Sequence, residues 1–240
     1  MRAKTFSEVR KARTFSELMK FNPYHDRLGR FASGNGGSAA GTFGGSDIKT
    51  FAKSVEKSKE TIPGEISWRV TAHTESELKE WYPDAKFHVT SGGSTIAVAS
   101  DGDIVSVSKC GTDKSVRGKD LLKMAVENGG TKLDSYDGNH GFYTKCGFEP
   151  VSWCKWSDEF APPDWITANG YTKESWSKMV KSGESKNIPD SKLKSKREDI
   201  VFYKYTGKNS TETADDFKRR ISASDDYDKA METRNNSLKK

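Results

Sequence analysis

The chain has 240 residues, 33% hydrophobic against 31% charged, with a mean hydropathy of -0.81 and a formal net charge of +6. That length holds one domain with appendages or at most two small domains, and that polarity is too high for every residue to join a packed core. No apolar run approaches the roughly 18 residues of a membrane span, and the first segment lacks the apolar centre of a secretory leader.

The charge is unevenly placed. Residues 1–46 carry eight Lys/Arg against three Asp/Glu, whereas residues 47–206 carry 24 of each. A nucleic-acid reader concentrates its basic excess on the folded module, so this partition argues against nucleic-acid binding. Cys110, Cys146 and Cys154 are odd in number and lack CxxC spacing. They read as reduced thiols in a cytoplasmic setting.

The chain opens with a short repeat, Lys4–Val9 (KTFSEV) and Arg13–Leu18 (RTFSEL). In each, a threonine precedes a glutamate by three residues, the capping-box spacing. The segment that follows, through Gly45, is rich in Gly, Ser and Ala, so residues 1–46 are expected as a flexible basic tail. A folded domain is expected over 47–206. Asp47 to Thr61 has the apolar spacing of a capped helix, Glu65–Thr71 (EISWRVT) alternates like a strand, and Thr74–Tyr82 opens on a capping pattern. Lys86–Thr90 is a short strand. The run Ser94–Gly111 reads as a hairpin turning at Asp101-Gly102.

Gly118 opens a helix through Asn128, Thr131–Tyr136 is a strand, Asn139–Cys146 a short helix and Phe148–Trp156 another strand. A helix crossing between the strands Asp103–Cys110 and Thr131–Tyr136 makes them parallel neighbours. Residues 157–198 read as an insertion with one short helix near Lys173–Val180. Asp199–Tyr205 is the last clear strand, and 207–240 are expected as a polar tail, loosely helical or disordered. The sum is an α/β (α+β) fold whose mixed, mostly antiparallel sheet is flanked by helices.

Two resemblances follow. Phe21–Phe31 (FNPYHDRLGRF) resembles a short motif in proteins of tailed phages and prophages, often head-associated ones. The run DGDIVSVSKCG, VRGKDLLKMAVENGG and GFYTKCGFEPV resembles the GNAT superfamily of acyl-CoA-dependent N-acetyltransferases, over about Ile66 to Tyr205. That resemblance implies acetyl-CoA as co-substrate and an amine acceptor on a host protein or small molecule. It also implies backbone contacts from Val107 and Ser108 to the pantetheine arm. The pyrophosphate would sit at the loop and helix start, on Lys114, Ser115, Arg117, Gly118, Lys119 and Asp120, with Asn139 nearby. Tyr143 would face the departing sulfur.

A helix N-terminus is an anion site on physical grounds alone, because its first N–H groups lack intrahelical partners. Asp113 and Val116 depart from the family's Gln/Arg-x-x-Gly-x-Gly/Ala pattern, since a carboxylate and a β-branched residue are poor in a phosphate nest. The acceptor amine needs a base, and His88, Asp134 and His140 are the candidates, although a His or Asp in such a place is more often a structural hydrogen-bonder. Trp153, Trp156, Phe160 and Trp165 are either core or the lining of an acceptor pocket, and Asp158-Glu159 either surface or a site for a cationic amine. Three functions remain open: a phage-encoded acetyltransferase, a non-catalytic GNAT-like binding protein of the virion or of host takeover, and a structural head component.

Overall fold

The computed structural model describes residues 43–239. The repeated capping turns and the Phe21–Phe31 motif lie outside the described residues. The fold is mixed α/β, with two three-stranded antiparallel sheets among helices.

Helix α1 (Ile48–Lys59) starts where the Asp47 carboxylate accepts the Thr50 N–H at 2.9 Å, and it buries Phe51, Ala52 and Val55. A short α2 (Gly64–Ser67) and α3 (Glu75–Trp81) follow, the latter closed by a Thr74–Glu77 capping box. The first sheet runs β1 (Lys86–Val89), β2 (Thr95–Val98), β3 (Ile104–Ser108) in that order. Its second hairpin turns at Gly102, whose φ of +84° suits glycine.

Helix α4 (Gly118–Glu127) leads to β4 (Lys132–Tyr136), α5 (His140–Lys145) and β5 (Phe148–Cys154). Next come α6 (Pro163–Ala168), α7 (Lys173–Ser182), β6 (Ile200–Tyr205), α8 (Ala214–Arg220) and α9 (Tyr227–Ser237). The second sheet has the order β4-β6-β5. One parallel bridge, Asp103 with Lys132, joins the two sheets. The two strands expected as parallel neighbours thus fall in different sheets and share that one bridge.

Three apolar clusters hold the sheets. One lies under α1 and α3, with Phe51, Val55, Leu78, Phe87 and Val105. The central one spans both sheets, with Ile96, Val107, Leu121, Leu133, Tyr143 and Phe217. The third packs Trp68, Tyr136, Trp165, Trp176, Phe202 and Tyr227 on the other face of the second sheet. Each fully buried large side chain contributes about 2 kcal/mol of transfer free energy.

Four expectations are corrected. Glu65–Thr71 is not a strand: Pro63 opens a helical turn there, and Arg69 and Val70 donate to carbonyls three residues back. The alternation instead sends Trp68 to the third cluster and Val70 to the first. The insertion holds two helices, and its Trp165 and Trp176 are core. The region 207–240 is no loose tail, because α8 buries Phe217 and α9 buries Tyr227, Ala230 and Arg234 against the second sheet. The single mixed sheet is in fact two antiparallel sheets meeting at one bridge.

Candidate functional site

Strands β3 and β4 set the site. They start together at Asp103 and Lys132, and beyond that bridge no further pair joins them. The last part of β3 thus keeps a backbone edge that β4 does not use. The far ends have different neighbours. Ser108 Oγ lies 2.6 Å from Ser58 Oγ of α1, whereas Tyr136 packs edge-on against Trp68 at 4.7 Å and pairs with Ile200 of β6.

Strand β3 is also bulged. Its register against β2 slips between the Ala97–Val105 and Thr95–Ser108 pairs, and Ser106 sits at φ +51°. A bulge reverses the side-chain alternation, so Val107 joins Ile104 on the α4 face while Val105 faces α1. The Ser106 carbonyl is held by Thr95 Oγ1 at 3.1 Å.

The loop into α4 is organised by Asp113. Its buried carboxylate accepts from Thr90 Oγ1, from Ser94 Oγ at 2.6 Å, and from both the N–H and Oγ of Ser115 at 2.8 and 2.6 Å. Burial raises its pKa, but these donors outweigh burial and hold it at about 2. Lys109 Nζ donates to the carbonyls of Cys110, at 2.6 Å, and Asp113. A side chain at Gly92 would overlap the Asp113 carboxyl. The residue that departs from the family pattern is thus an internal anion that ties the loop to the β1–β2 turn.

This changes the expected pyrophosphate set. Ser115 spends both donors on Asp113. Asp120 accepts the Arg117 N–H at 3.0 Å and Arg117 Nε at 2.8 Å, so neither side chain of that pair is uncommitted. Lys114 Nζ reaches the Gly111 carbonyl at 3.5 Å. Among the described residues, no protein acceptor stands against the amides of Gly118 and Lys119, and Lys119 is in no ion pair. The anion-binding capacity of the helix start is therefore narrower than expected: two amides and one lysine.

The catalytic candidates do not converge. Tyr143 has no exposed surface and packs among Phe142, Phe148 and Tyr203, the last at 5.5 Å. Asn139, at the start of α5, donates to Ser135 Oγ at 3.1 Å. His88 lies on β1, two strands from the β3 edge, stacked on Phe43 at 5.2 Å, and burial lowers its pKa. His140 pairs its Nδ1 with Tyr203 Oη at 3.1 Å, and burial lowers its pKa too. Both read as structural histidines.

Asp134 alternates with Leu133, so it faces α9 while Leu133 joins the cluster that contains Tyr143. There it meets groups that the sequence did not mark. Arg234 of α9, 1% exposed, donates to Asp103 at 3.2 and 3.4 Å, and its Nη1 lies 4.0 Å from Asp134. Burial, and then the neighbouring Asp103 carboxylate, push Asp134 up to about 8. Two carboxylates share one guanidinium, so the pair holds a proton at neutral pH. Lys132 pairs with Asp101 at 2.7 Å on the rim of the same cluster.

Among the described residues, no group of three or more His, Cys, Asp or Glu side chains is placed to hold a metal, and no helix is long and apolar enough to cross a membrane. Cys110, Cys146 and Cys154 are not joined in disulfides, and Cys110 and Cys154 are buried. The chain matches no protein-family model, no curated protein and no solved structure.

Proposed function

We propose that the chain is an acyl-CoA-dependent N-acetyltransferase of the GNAT type, with the parting of β3 and β4 as the place where the thioester arm enters. One observation supports this reading: β3 and β4 bridge once, in parallel, at Asp103 and Lys132, and pair nowhere else. The unused β3 edge supplies backbone donors and acceptors to an amide-bearing arm, and the bulge at Ser106 re-aims the backbone next to Val107 and Ser108. The amides of Gly118 and Lys119 with the Lys119 ammonium form the anion end.

In the transfer step, a neutral acceptor amine attacks the thioester carbonyl. A backbone N–H at Val107 or Ser108 stabilises the oxyanion, the C–S bond breaks as the C–N bond forms, and the proton shed by the nitrogen passes through water to the departing thiolate, since Tyr143 is wholly buried. Asp134, protonated and turned toward α9, is not in a position to serve as base, and no base is assigned. An origin in a phage or prophage, and a place in the host cytoplasm or the virion, belong to the same proposal and rest on Phe21–Phe31 and on cysteine usage.

A second reading, a non-catalytic binding protein of the same fold, is favoured by two observations. Asp113 and Asp120 occupy donors that a pyrophosphate would use, and Tyr143 is wholly buried. Thermal unfolding with acetyl-CoA separates the two. The enzyme reading expects a Tm that rises with ligand concentration, from a stabilisation of about 2.7 kcal/mol at a hundredfold excess over Kd, and no such rise in Gly118→Glu. An unchanged Tm at millimolar acetyl-CoA favours the binding protein.

A further inference from the structure

A cavity of about 160 Å3 opens where β4, β5 and β6 reach the same end of the second sheet. Four aromatic residues contribute to its lining: Tyr136, Trp156, Phe160 and Tyr227. Its remaining polar lining is mainly acidic, with Glu159, Asp225 and Asp226 against the single cation Lys155. Among the described residues, none of these four charged groups is in an ion pair, although Asp226 also caps α9 through the Lys229 N–H at 2.9 Å.

The walls are fixed in advance. Trp156 donates its indole N–H to Asp158 at 2.9 Å and its backbone N–H to Asp199 at 2.9 Å, and its ring lies 4.9 Å from that of Trp165. Arg197 holds Asp158 in turn at 2.7 Å. Tyr227 is wedged against Phe202 at 4.8 Å. Asp158, the other half of the acidic pair seen in the sequence, is thereby spent on structure, while Glu159 faces the cavity.

Aromatic faces attract cations, and the attraction grows when the cation is desolvated. Unpaired carboxylates at the rim add a Coulombic pull that salt weakens. The volume equals about five water molecules, which limits the guest to a headgroup rather than a whole nucleotide. We propose that this cavity binds a small alkylammonium group, free or as the end of a longer ligand. The inference concerns binding alone and goes beyond the acyl-transfer reading, since it requires no cofactor.

The test is a chemical-shift titration of the 15N-labelled full chain with choline, with n-butylammonium, and with 3,3-dimethylbutan-1-ol, the neutral carbon analogue of choline. Expected are saturable shifts at the Trp156 indole and the Tyr227 amide with an ammonium, and about tenfold weaker binding of the alcohol, equal to ~1.4 kcal/mol. The preferred ammonium distinguishes a quaternary from a primary headgroup. The exposed pair Glu159→Gln and Asp225→Asn together should weaken binding about fivefold and remove most of its salt dependence. No saturable shift with either ammonium, equal binding of the alcohol, or unchanged affinity in the folded double variant would overturn the proposal.

Discussion

The two ends of the β3–β4 pair are built on opposite principles. At the start, Asp103 and Asp134 are gathered under Arg234 from α9, Lys132 pairs with Asp101, and the strands touch. At the far end, Ser108 and Tyr136 are satisfied by separate partners, Ser58 and Trp68, and nothing pairs the strands to each other. A buried ionic clamp is a costly way to gain stability, because desolvation offsets most of the attraction. Its value here is positional: it fixes where the strands meet and hence where they part.

Breaking the clamp should have the largest effect. Arg234→Met leaves Asp103 buried without its guanidinium and is expected to cost about 3–5 kcal/mol, read as a lower urea midpoint. A loss under about 1 kcal/mol would mean that the strands are held together by apolar packing alone.

Next is the loop anchor. Asp113→Ala removes the acceptor for Thr90, Ser94 and Ser115 and should cost about 2–3 kcal/mol. Because the folded pKa of Asp113 lies below its ordinary value, its contribution is complete above about pH 4 and disappears as pH falls toward 2. Wild type should therefore lose stability over that window more steeply than Asp113→Ala. Parallel acid-unfolding curves would show that the carboxylate is not the anchor.

The smallest expected effect sharpens the comparison by its sign. Asp134 binds its proton more tightly folded than unfolded, so its contribution is present at acid pH and falls as pH rises from about 4 through about 8. Asp134→Asn should flatten this fall and leave the protein as stable or more stable at pH 8. A variant weaker than wild type at pH 8 would show that Asp134 is ionised and needed by Arg234.

Much of the local structure was legible in the sequence. The Asp47 and Thr74 caps, the Asp101-Gly102 turn and the Leu121-Leu122 face all mark elements that the structure contains. Glu65–Thr71 misled because Trp68 and Val70 are buried in different clusters from a helical turn, with Ile66 half-buried beside Val70, which mimics strand alternation. Helix α9 was invisible as a packed element because Tyr227, Ala230 and Arg234 form its inner face, and an arginine does not register as core. The charge cluster could not be read for a related reason: its members are distant in sequence, and burial alone gives them meaning. Asp113 was visible as an anomaly in a phosphate-type loop, but its bonding to Thr90 and Ser94 depends on how the β1–β2 turn folds back.

The proposed activity requires that a thioester cofactor enter between β3 and β4. Amide hydrogen exchange of the full chain, with and without saturating acetyl-CoA, tests this at the residues concerned. Slower exchange over Ser106–Ser108 and Gly118–Lys119, unaccompanied by change around Trp156 and Tyr227, is the predicted result. Identical exchange in both conditions would contradict it.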